Sequence, residues 1–130
     1  MIWNAWTLDR SVILFTAFAY LFIAAQVTLS HYRQNFHRKV MLIPVLTAPL
    51  YFLVGLLAVL LNRSWLLCLF HIGMWLGILT GLFGLYLHIR GVGKRVGSYA
   101  FRNFLIGPPV LMPLLYSALG ILGLIAVYGR

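Results

Sequence analysis

The sequence predicts an all-α fold, an integral membrane four-helix bundle with both termini outside (N-out/C-out) and no extramembrane domain. Three observations predict it. Of the 130 residues, 63% are hydrophobic and only 8% charged, against roughly 45–50% and about 25% in soluble domains. Four stretches reach the length of about 20 apolar residues that a helix needs to cross a bilayer core with its backbone polar groups satisfied internally. The basic residues also segregate to one side of those stretches, as orientation in a membrane requires.

The first span covers residues 11–30. Arg10 precedes it, and Ala17-Phe18-Ala19 has the small-residue spacing of a secretion-signal cleavage site. The apolar run continues well past that point, so it reads as a spanning helix. Asp9, beside Thr7, is expected to cap its N-terminus. The second span, 40–61, contains Pro44 and Pro49. Each is expected to free a carbonyl and kink the helix, with Thr47 or a neighbour helping to satisfy what is freed.

The third span, 65–90, carries the most specific pattern in the chain. Gly73, Gly77, Gly81 and Gly84, followed by His88, fall on one helical face. Apolar side chains gain little by leaving lipid for another apolar surface, so small residues that let backbones approach drive association. This glycine zipper is expected to meet another helix of the same chain, and otherwise a second copy or a different subunit. Ala17, Ala24 and Thr28 on the first span and Ser117, Gly120 and Gly123 on the fourth are the candidate counterfaces. The fourth span, 108–128, is expected to start at the helix break Gly107-Pro108-Pro109, with Pro113 one turn deeper. Before it, residues 98–104 read as an interfacial elbow.

Arg33, Arg38, Lys39, Arg90, Lys94, Arg95 and Arg102 fall on one side, and Arg10, Arg63 and Arg130 on the other. That asymmetry places the two longer connections in the cytoplasm of a bacterial-type plasma membrane. The expected partners are a lipid bilayer with anionic headgroups and other membrane subunits or a second copy, with no nucleic acid. Trp3, Trp6 and Trp65 are expected to form an interfacial belt at the outer boundary.

The composition excludes several chemistries. Asp9 is the sole acidic residue and Cys68 the sole cysteine. Paired-carboxylate catalysis, an internal disulfide and a cysteine-based zinc site therefore fall together. There is no phosphate-binding glycine loop, no Ser-His-acid set, and no embedded carboxylate to couple transport to protons.

Histidine is the remaining source of chemistry. His31, His37 and His88 are expected at the cytoplasmic rim. His31 and His88 on different helices fit the two axial positions of haem b, with Arg33 and Arg90 meeting its propionates and Gly84 leaving room for the ring. The same three histidines fit a metal ion such as Zn, Cu or Fe. His71, deeper in the third span, is expected to bond a carbonyl, Tyr20 or Thr16. The first functional expectation is a non-catalytic subunit or scaffold of a larger membrane complex. The alternative is a haem-binding electron-transfer protein, and the second alternative a homo-oligomeric channel or transporter with Thr16, Tyr20 and Gln26 facing water.

Overall fold

The computed structural model describes residues 3–130. Its elements are α1 (Leu8–Arg33), a 3-10 turn (Lys39–Met41), α2 (Leu42–Leu61), α3 (Ser64–Val96), a one-turn α4 (Asn103–Ile106) and α5 (Leu111–Tyr128). Four helices are long and apolar enough to cross a membrane: α1, α2 with its preceding turn, α3 and α5. Phe15, Phe22, Leu46, Leu79 and Ile125 stand exposed on the outside of the bundle. That distribution suits a solvent of lipid tails rather than water.

Several boundaries differ from the sequence expectation, each for a physical reason. The third helix runs past Arg90 to Val96 and has 33 residues, about 50 Å at 1.5 Å per residue. It therefore overshoots a hydrocarbon core of about 30 Å. Gly97, at φ +104°, ends it in the left-handed conformation that favours glycine. The fourth long helix starts at Leu111, not at Pro108. Pro109 disfavours helical backbone at Pro108, and Gly107 is extended, so both prolines lie in the linker. Pro113 instead occupies the first turn of α5, where a missing N–H costs no intrahelical bond. Pro44 likewise falls in the first turn of α2, leaving Pro49 as its interior proline. The Thr47 hydroxyl donates to Ile43 O at 2.7 Å rather than to the carbonyl freed by Pro49. Asp9 sits in the first turn of α1 behind Thr7 and acts through its charge on the helix dipole, not as the cap.

The glycines of α3 meet three helices of the same chain. A Cβ on Gly73 would lie 3.1 Å from the Tyr51 ring of α2, and one on Gly77 2.8 Å from the Tyr20 hydroxyl of α1. One on Gly81 would lie 2.6 Å from Ser117 N and 2.7 Å from Pro113 O, both α5 backbone atoms. Gly84 faces Pro113 Cβ at 3.2 Å. In return Gly120 of α5 faces Met74 O at 2.8 Å. The Ser117 hydroxyl donates to Ile78 O at 2.8 Å, which fastens α5 to α3. Gly55 on α2, not anticipated as a contact residue, faces Ala17 Cβ at 2.9 Å.

At mid-bundle the rings of Tyr20, Tyr51 and Tyr116 meet edge to face, with centroids 5.2, 5.2 and 6.1 Å apart. Each such ring pair contributes about 0.5–1.5 kcal/mol beyond area burial. Their polar ends are satisfied: Tyr20 OH donates to Tyr116 O at 2.8 Å, and Tyr116 OH bonds the Thr47 hydroxyl.

Trp3 and Arg130 lie at one end of the bundle with the guanidinium 5.5 Å from the ring, so the two described chain ends meet. This terminal end is closed by side chains that complete the C-terminus of α2. Trp3 is buried rather than belt-like, and its indole donates to Ala58 O at 2.9 Å. Arg10 donates to Val59 O at 3.2 and 2.8 Å while stacking over Trp6. Asn62, in the left-handed conformation after α2, accepts from Trp3 N at 2.5 Å and donates to Trp3 O at 2.6 Å. Trp6 and Trp65 remain exposed at this end.

Candidate functional site

The opposite, basic end is open. A pocket there lies between α1, the turn and first residues of α2, the second half of α3, and the linker into α5. It is an open cleft rather than an enclosed cavity, with about 120 Å³ of room for an occupant. His31, His37 and His88, expected from sequence to share the rim, all line it, as do Gly81, Gly84, Pro108, Pro109 and Pro113.

Backbone geometry explains the convergence. After α1 the chain reverses through Asn35 and Phe36, both left-handed at φ 60° and 46°. That conformation costs an ordinary side chain about 1–2 kcal/mol. The reversal folds His37 and Arg38 back over the end of α1, where the Phe36 ring meets His31 edge to face at 6.5 Å. His31 itself is buried and its Nδ1 donates to Met41 O at 2.8 Å. On the other wall, Pro113 supplies no N–H to the carbonyl four residues before it, that of Pro109. His88 Nδ1 donates to that carbonyl. The linker ahead of α5 thus fixes a histidine, and its Pro109 carbonyl is satisfied within the protein.

A carbonyl oxygen can only accept, so both Nδ1 atoms carry the proton. In the neutral imidazoles of His31 and His88, Nε2 then carries the lone pair. His37 has the same tautomer, with Nδ1 donating to Gln34 O at 3.0 Å, but its Nε2 accepts from Arg95 Nη2 at 3.2 Å. The third imidazole is thereby occupied. Among the described residues no three His, Cys, Asp or Glu side chains gather into a group able to hold a metal ion.

The cations at the pocket are Arg38 and Arg95, where Arg33 and Arg90 were expected. Arg33 and Arg90 are exposed and lie two residues from His31 and His88. Two residues of helix turn a side chain by about 200°, onto the far face. Arg95 follows His88 by seven residues, which returns it to the same face once α3 is known to continue. The missed signal was that spacing, hidden because Gly91, Gly93 and Gly97 read as a loop. Gly91 and Gly93 instead make room for the elbow: a Cβ on Gly91 would lie 2.9 Å from Pro108 Cγ, and Tyr99 covers Gly93. In the elbow Asn103 Nδ2 donates to Ser98 O at 3.0 Å, with Tyr99 and Phe101 exposed.

Much of the pocket lining is apolar, including Val27, Met41, Phe83, Leu87 and Met112. Thr80 and Tyr116 lie at the inner end, so the pocket reaches the tyrosine cluster at its Tyr116 member. The arrangement is cationic at the mouth, apolar along the walls, and holds two Nε2 lone pairs between.

The remaining candidates lie elsewhere. His71 Nε2 accepts from Tyr128 OH at 2.8 Å and from Trp75 Nε1 at 3.3 Å, so its partners are on α5 and its own helix rather than Tyr20 or Thr16. It lines a shallow depression at the terminal end with Cys68 and Arg130. Thr16 donates to Val12 O at 2.8 Å, and Gln26 is exposed and donates to Ser30 Oγ at 3.1 Å. Thr16, Tyr20 and Gln26 thus do not share one polar face. The chain matches no family model, no curated protein and no solved structure.

Proposed function

We propose that this chain is an integral membrane binding protein that takes an amphipathic ligand with an anionic head into the pocket at the basic end of its bundle. The bundle would lie in a bacterial-type plasma membrane with both termini outside and that pocket opening on the cytoplasmic side. One observation carries the reading: the exposed Arg38 and Arg95 border a cavity whose lining is otherwise mostly apolar. The chain's sole acidic side chain, Asp9, is in the first turn of α1, at the far end, so no carboxylate of this chain competes for those cations. A ligand with a carboxylate or phosphate head and an apolar body satisfies both zones at once.

The reading as a scaffold for other subunits rests on less. It draws on close-packing surfaces and on the basic rim, and of the former Gly73, Gly77, Gly81 and Gly84 meet α1, α2 and α5 of the same chain. That glycine stripe is covered from within the chain.

The test uses the full chain in lipid vesicles with a photoactivatable fatty acid as probe, and adducts mapped by mass spectrometry. Adducts are expected to concentrate at Met41, Thr80 and Met112 and to fall in Leu87→Trp, which fills the pocket. Those on the lipid-facing Leu79 and Ile125 should not change. Equal labelling of pocket and exterior, unaltered by Leu87→Trp, would refute the proposal.

A further inference from the structure

We infer that the ligand of this pocket is an iron porphyrin, haem b, held by the Nε2 atoms of His31 and His88; the inference rests on the pocket reading above and names its ligand. A carboxylate-bearing amphiphile in general needs only the cations and the apolar walls. It leaves unexplained why two imidazoles on different helices line the same cavity with both Nδ1 atoms fixed on backbone carbonyls. Metal-binding histidines have this arrangement: the distal ring nitrogen is held by a carbonyl, which sets the tautomer and the ring orientation and leaves the other nitrogen as ligand.

Several further features favour a porphyrin over a bare ion. The third histidine is capped by Arg95 through its Nε2, so the donor set is two imidazoles and not three. Two nitrogen donors are too few for a tetrahedral or octahedral ion but match a metal whose other four positions are filled by a macrocycle. The walls around the pair, Val27, Met41, Phe83, Leu87 and Met112, suit the apolar faces of the ring, and Gly84 adds no side chain to the same cavity. Arg38 and Arg95 at the mouth suit its two propionates.

The experiment titrates hemin into the full chain purified in mild detergent and follows the absorption spectrum, oxidised and dithionite-reduced. The expected result is a six-coordinate low-spin spectrum saturating near one haem per chain. His31→Ala and His88→Ala should each weaken binding about tenfold or more, and His37→Ala should leave the spectrum unchanged. Arg38→Ala with Arg95→Ala should weaken hemin but not its dimethyl ester. If the alanine variants fail to fold, His31→Met and His88→Met provide the second reading, since thioether ligation alters the bands and raises the potential. Hemin that binds with a spectrum indifferent to either histidine overturns the inference. So does an absence of hemin binding while the photoactivatable fatty acid still labels the pocket, in which case the pocket reading survives. Loss of both signals in the folded protein overturns the two together.

Discussion

Replacing Gly81 with alanine puts one methyl group against the backbone of α5. The new Cβ would lie 2.6 Å from Ser117 N and 2.7 Å from Pro113 O, and closer still to the Ser117 hydroxyl. Carbon contacts are optimal only at about 3.5–4.0 Å, so the shortfall is about 1 Å. Neither backbone atom can turn aside as a side-chain tip would. Helix α5 must therefore move outward, and that movement breaks the bond from Ser117 to Ile78 O. Overpacking of this kind costs about 1–3 kcal/mol, and the lost hydrogen bond adds about 0.5–1.5 kcal/mol, for a destabilisation of about 1.5–4.5 kcal/mol. Gly73→Ala is the matched control on the same helix. Its Cβ would meet the Tyr51 ring at 3.1 Å, which needs a displacement of only a few tenths of an ångström from a side chain. Its cost is expected below about 1.5 kcal/mol. Reversible unfolding in mixed detergent micelles measures both. If Gly81→Ala is no less stable than Gly73→Ala, the α3–α5 contact is not a backbone contact and the reasoning fails.

Two further outcomes are expected. Asn62→Gly keeps the left-handed turn after α2 but loses the two bonds to Trp3, for about 1–3 kcal/mol; Asn62→Ala loses the same bonds and adds about 1–2 kcal/mol of backbone cost, so the difference between the two variants in the unfolding assay isolates the turn, and equal stabilities would contradict it. In a Cys68→Ser background, Asn4→Cys is expected to react with a membrane-impermeant maleimide on intact cells and Ser98→Cys only after permeabilisation, and the reverse pattern would invert the proposed orientation.

The four long helices were legible because their signal is local: a run of about 20 apolar residues is the length a helix needs to cross a bilayer. Their ends were less so. Proline positions were read one residue at a time, whereas the constraint that moved the start of α5 to Leu111 is a pairwise one, Pro109 acting on Pro108. The end of α3 was misplaced because Gly91 and Gly93 look like loop residues when nothing shows what approaches them. In the fold Pro108 and Tyr99 approach them, and these come from an elbow that returns along the helix. The three rim histidines were found from depth alone. Their charged neighbours were not, since adjacency in sequence selected Arg33 and Arg90, while helical geometry turns both away and brings Arg95 round instead.

The two ends of the bundle differ in a way that bears on how anything enters it. At the terminal end the last carbonyls of α2 are taken by the Trp3 indole and the Arg10 guanidinium, with Arg130 over the same ring. The side chains there are spent on closing a helix terminus. At the basic end two histidines bond carbonyls that precede α2 and α5, Met41 O and Pro109 O, and each of them has a second ring nitrogen besides. Between the ends stands the Tyr20, Tyr51, Tyr116 cluster, whose Tyr20 and Tyr116 hydroxyls are bonded to a backbone carbonyl and to Thr47. A conducting path would need those hydroxyls to offer themselves to water in sequence. Two of them instead tie α1 to α5 and α5 to α2. Under the proposed function, a ligand would therefore enter and leave without passing the tyrosines, and the terminal end would take no part in its exchange.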